Sequence, residues 1–311
     1  MDIALSTSWN AFRFENGKDI VREIKTLGFT ELELSFNLTQ SIVNDVSVLE
    51  SKGLIKIISV HNFCPIPDGV ERKLALPDYY SLASLDAKER NLAINFTKRT
   101  IDTAKMLNAK AVVLHAGRIE IQDKTKALMR FFNNSHRNSK EFEALKSLII
   151  KERERQVKPY FESALKSLDE ISEYAGMKGI NLGIENRYYF REIPSLEEIE
   201  IILDKFSNRN IFYWHDVGHA QIWQNMGFYS NLSYLEKYSN KMLGIHLHDV
   251  IGTDDHQPPL KGNIDFTKIA PFINKDTIKV MEAHHPATGQ DIKKGAQYLD
   301  DIFNRRKVKV D

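Results

Sequence analysis

Cysteine is almost absent. Cys64 is the only one in 311 residues, which excludes an internal disulfide, an all-cysteine zinc site and an iron–sulfur cluster. That usage fits a reducing compartment, so a cytoplasmic protein is expected. Net charge is almost absent too: 43 Lys and Arg against 42 Asp and Glu leave +1. The balance gives no basic footprint for nucleic acid and no polybasic patch for a membrane. No run approaches the roughly 18 apolar residues of a membrane span. The opening MDIALSTSWNAF lacks a basic start followed by a long apolar stretch, so no signal peptide is expected. No G-x-G-x-x-G follows the first strand and no phosphate-loop lysine motif occurs. Both absences weigh against an open doubly wound sheet.

What the chain contains is alternation. Short apolar runs read as strands at 3–6, 32–36, 56–60, 111–114, 180–184, 211–214, 242–247 and 277–281. Helical patterns lie between them. Ala93, Phe96, Thr100, Ala104 and Leu107 share one face of a helix expected over 87–108. Ser195 and Glu198 form a capping box ahead of Leu196, Ile199, Leu203 and Phe206. Residues 118–158 are charged and lack a strand, and the apolar stripe resumes at Phe161. Eight strands separated by helices over about 300 residues predict one α/β domain, residues 1–311, folded as a (β/α)8 TIM barrel. The segment 118–158 is then a helical insertion after strand 4, serving as a lid or a dimer contact.

The chemistry-bearing residues fall at strand ends. His61 ends strand three, His115 strand four, Glu185 strand five and Asp216 strand six, with His219 three residues on. His246 lies on strand seven, Asp254 and His256 in an irregular loop after it, and Glu282 ends strand eight. A parallel barrel brings all these ends to one rim. Such groups cost too much to bury unless something pairs with them, and a divalent cation is the simplest shared partner. His246 and His248, at period two, point to the same side of their strand. His215 faces the helices and reads as structural. His248 and Arg187 read as contacts to substrate or braces for the ligands.

The motifs VHNF, LHAG, GIENR, HDVGH, GIHLHD, DDHQPPLKGNIDF and VMEAHH, spread over nearly the whole chain, resemble those of the xylose-isomerase-like barrel superfamily. That superfamily holds sugar and sugar-phosphate isomerases and epimerases and the type IV apurinic/apyrimidinic endonucleases. The resemblance implies that Glu185, Asp216, His246 and Glu282 hold one divalent metal (Zn, Mn, Co or Mg). In the isomerase branch Glu185 and Glu282 also shuttle the proton. In the endonuclease branch His61 and His115, with Glu185 bridging, hold a second zinc, and His219, Asp254 and His256 a third. The chain departs in two places: NFCPIPDG lacks the apolar-aromatic pair of a DNA-intercalating loop, and Lys261 stands where glutamate is usual.

Two activities follow as expectations. The favoured one is a metal-dependent isomerase or epimerase of a small polyhydroxy substrate, with Arg187, His219 and His248 holding substrate oxygens. The alternative is a zinc phosphodiester hydrolase acting on abasic DNA, for which nucleic acid would be the partner. A homo-oligomer is compatible with either.

Overall fold

The computed structural model describes residues 2–304. Eight parallel strands close into a barrel: β1 (Ala4–Ser6), β2 (Glu31–Leu34), β3 (Lys56–His61), β4 (Ala111–Leu114), β5 (Asn181–Glu185), β6 (Ile211–Asp216), β7 (Met242–Leu247) and β10 (Ile278–Met281). The intervening β8 (Asp249–Ile251) and β9 (Asp254–Gln257) pair with each other as an antiparallel hairpin at the rim. The strands read as apolar runs because both faces of a parallel sheet are covered; all four residues of β4 are buried.

The surrounding helices are α1 (Gly17–Thr26), α2 (Gln40–Ser51), α3 (Ala87–Met106), α4 (Thr125–Asn133), α5 (Lys140–Lys178), α6 (Leu196–Lys205), α7 (Val217–Asn225), α8 (Asn231–Tyr238), α9 (Phe266–Ile269) and α10 (Gly289–Asn304). Their starts follow capping chemistry. Asn16, Thr39, Asp86 and Ser139 cap α1, α2, α3 and α5 through their side chains. The expected capping box of Ser195 and Glu198 opens α6. Among the described residues no helix is long and apolar enough to cross a membrane.

Two cores result. The larger lies between barrel and helices. The smaller fills the barrel with Ala4, Ile58, Ala111, Val113, Trp214, Ile278 and Val280. Trp214 needs room made by two neighbouring strands. A Cβ on Gly183 or Gly244 would stand 2.7 or 2.3 Å from its indole. A register shift between Tyr213 and Trp214 sets Trp214 opposite Gly244.

The segment 118–158 is helical, holding α4 and the first half of the 39-residue α5, which runs unbroken through Pro159. One sequence expectation changes here. The loop after β7 is not irregular, because it forms the β8–β9 hairpin.

Candidate metal centre

Strand ends deliver the site. His246 on β7 is fully buried, and its Nδ1 lies 2.8 Å from Glu185 Oε1, 3.0 Å from Glu282 Oε2 and 3.6 Å from Asp216 Oδ2. Donor atoms of Glu185, Asp216, His246 and Glu282 all fall within 4.8 Å of one another. Three carboxylates around one imidazole leave an excess of buried negative charge that a divalent cation would offset. The mixed N/O donor set suits Zn, Mn, Co or Mg.

A second group adjoins the first. Glu185 Oε2 faces His115 Nε2 at 2.7 Å and His61 Nε2 at 3.7 Å. The His115 ring is buried, and neither of its nitrogens is aligned for a hydrogen bond among the described residues, a geometry compatible with a shared ion. His219, Asp255 and His256 form a third group.

Local structure explains why these side chains converge. Asp216 doubles as the cap of α7, accepting the His219 backbone N–H at 2.7 Å. That cap places His219 in the first turn, over the site. Asn186 joins two strand ends: its Nδ2 donates to Asp216 O, and its Oδ1 accepts from Asp216 N (2.7 Å) and from Tyr213 Oη (2.8 Å). The Glu282 backbone N–H donates to Leu247 O. His215 lies on the helix side as expected, buried with Nδ1 2.6 Å from Tyr213 Oη, and burial lowers its pKa to about 3.

The two glutamates are driven apart electrostatically. Burial acts to raise Glu185. The close imidazoles of His115, His246 and His61 and the Arg187 charge outweigh it, holding the carboxyl well below the usual range. For Glu282 burial wins. With the Glu33 and Glu185 charges it pushes the carboxyl up to about 7, against the pull of His246 and His61.

One sequence-selected residue, Asp254, sits differently from expectation, and His248 and Arg187 take the bracing one of their two expected roles. Asp254 faces outward, its Oδ2 accepting from Gln257. Its place is taken by Asp255, whose Oδ2 is 3.8 Å from His219 Nε2 and 3.6 Å from His256 Nε2. The reason is a bulge. Asp249 pairs with Gln257 but Ile251 pairs with Asp254, so β9 carries one extra residue and consecutive side chains share a face. His248 has no nitrogen free for substrate. Its Nε2 lies 3.0 Å from both Asp216 oxygens, and its Nδ1 accepts the His256 backbone N–H at 2.9 Å. Arg187 is also engaged, donating to Glu185 Oε2 (3.1 Å) and to Glu192 Oε1 (3.1 Å). Lys261 pairs with Asp291 on α10, away from the site.

Sequence reasoning missed Glu33. It is fully buried on β2, with both carboxylate oxygens 3.2 Å from His246 Nε2. The signal was present: in LELSF a glutamate occupies the inward position of a strand buried on both faces. It also missed Arg153 in the insertion. This buried arginine on α5 donates to both Glu198 oxygens and to the Phe190 and Glu192 carbonyls, fastening the loop that carries Arg187 and Glu192.

The closed eight-stranded barrel with its rim of histidines and carboxylates belongs to the xylose isomerase-like TIM barrel family, whose model matches residues 21–302. The Methanocaldococcus jannaschii protein MJ1311 is 25% identical over 193 residues, a match covering 60% of this chain and 54% of that protein. The chain thus spans about half the length of that curated relative. Among solved structures, a D-tagatose 3-epimerase-like protein superposes with a TM-score of 0.72 at 20% identity over 100% of both chains. An IolI protein with a binding zinc atom gives a TM-score of 0.64 at 16% identity, covering 98% of this chain and 99% of that one. At these identities the structural likenesses establish the fold.

Proposed function

We propose that the chain is a divalent-metal-dependent isomerase or epimerase of a small polyhydroxy substrate, a sugar or sugar phosphate. The carrying observation is the placement of two glutamates beside one histidine. Glu185 on β5 and Glu282 after β10 reach His246 Nδ1 from opposite sides of β7 in the barrel order. A divalent cation held by Glu185, Asp216, His246 and Glu282 would polarise a substrate carbonyl and acidify the carbon-bound proton beside it. The chain's own residues do the rest. Glu185, kept ionised by its histidine and arginine partners, is the group prepared to take that proton. Glu282, 3.0 Å from His246 Nδ1 and across it from Glu185, is the group that would give one back. His219, Asp255 and His256, above them at the rim, are placed to hold substrate oxygens. The likeness of the fold to a D-tagatose 3-epimerase-like protein supports the same reading.

The second reading, a zinc phosphodiester hydrolase, is favoured by the His61–His115–Glu185 and His219–Asp255–His256 groups beside the four-donor set. It ranks lower because the Arg187 guanidinium already sits 3.1 Å from the Glu185 oxygen that faces His61 and His115. A fixed cation there opposes a second one.

The test is metal content together with solvent deuterium incorporation into candidate ketoses and aldoses. One ion per chain and deuterium exchange support the proposal. Glu185→Gln and Glu282→Gln are expected to lower turnover by about 10²–10⁴-fold each with the fold intact. Three zincs per chain with cleavage of abasic DNA would overturn it, as would full activity in Glu282→Gln.

A further inference from the structure

Glu33 is a buried carboxylate outside the four-donor set. It lies on β2 between the buried Leu32 and Leu34. A register shift between Leu32 and Glu33 brings it opposite Ser59, whose Oγ donates to Glu33 Oε2 at 2.7 Å. Its other polar partner among the described residues is His246 Nε2, at 3.2 Å from both oxygens. The imidazole is therefore spanned. Nδ1 faces Glu185, Glu282 and Asp216, and Nε2 faces Glu33. The ring plane is set by the Trp214 edge at 5.2 Å and the stacked His61 ring at 5.9 Å.

We propose that Glu33 is a positioning residue that accepts the Nε2–H of His246 and so leaves the Nδ1 lone pair directed at the metal centre. A neutral imidazole carries one proton on one of two nitrogens. An anionic acceptor at Nε2 fixes it there and makes Nδ1 a better donor. Ser59 keeps the carboxylate turned to the ring. This role rests on the metal reading above.

The test is direct metal binding by purified protein, measured with Mn²⁺ and Zn²⁺ by titration calorimetry and chelator competition. Glu33→Gln keeps shape and an acceptor oxygen but removes the charge. Its dissociation constant is expected to rise about 10–100-fold, while metal-free thermal unfolding stays close to that of the parent. Ser59→Ala, which leaves His246 untouched, is expected to give a smaller rise in the same direction. In ¹⁵N-histidine spectra of the Zn²⁺-loaded protein, the His246 proton should reside on Nε2. A dissociation constant within twofold of the parent in Glu33→Gln, or a proton on Nδ1, overturns the proposal and leaves the metal reading standing. A parent protein that binds neither metal removes both.

Discussion

Gly218 has no side chain because His248 occupies the space where one would stand. A Cβ there would come within 2.0 Å of the His248 ring. The ring lies against the first turn of α7, and from there its Nε2 reaches both oxygens of Asp216. The glycine of HDVGH is thus explained by a side chain 30 residues later in the sequence. Gly218→Ala is expected to push His248 off Asp216. It should cost about 1–3 kcal/mol of stability by overpacking, with a fall in turnover that persists when stability is restored by lower temperature. Urea unfolding and steady-state kinetics check the two parts. At this scale the ligand types and their strand ends were legible, because a strand end in a parallel barrel can deliver a side chain only to the rim. Partnerships were not legible. Nothing in HLHD says that His246 meets Glu33 and His248 meets Asp216, since each depends on strands far apart in the chain.

Elements with a strong local code matched the sequence and elements with a weak one did not. The barrel strands read as apolar runs, and α6 announced itself by its capping box. The hairpin strand β9 is DDHQ, four polar residues with no apolar period. Only its pairing with β8 reveals the bulge that turns Asp255 inward. Asp255→Asn should therefore lower substrate turnover or metal affinity severalfold, while Asp254→Asn leaves both near the parent value; equal effects would remove the bulge from the account. The hairpin is braced from two sides. Asn133 at the end of α4 donates to Thr253 Oγ1, and Asn225 at the end of α7 donates to Gly252 O. Helix α5 was hidden by its charged exposed faces and by Pro159, which break the apolar stripe. Its first half nevertheless carries Arg153, which ties the insertion to the loop after β5.

At the scale of the whole molecule, the barrel gathers Glu33, Glu185, Asp216 and Glu282 into one buried region. Carboxylates so placed repel one another, and a cation that neutralises them binds the folded state alone. Saturating Mn²⁺ or Zn²⁺ is expected to stabilise the fold by about 2.7 kcal/mol at a free-metal concentration 100 times the dissociation constant. That corresponds to a Tm rise of several degrees, reversed by a chelator; scanning calorimetry at fixed pH measures it. An unchanged Tm would mean that no ion is held where the carboxylates converge.

Trp214 gives the barrel interior its floor, admitted by the missing side chains of Gly183 and Gly244. The same indole lies edge-on to the His246 ring at 5.2 Å, so the packing of the barrel interior and the placing of the buried imidazole rest on one side chain. A gap opened at that position would loosen the donor set together with the core.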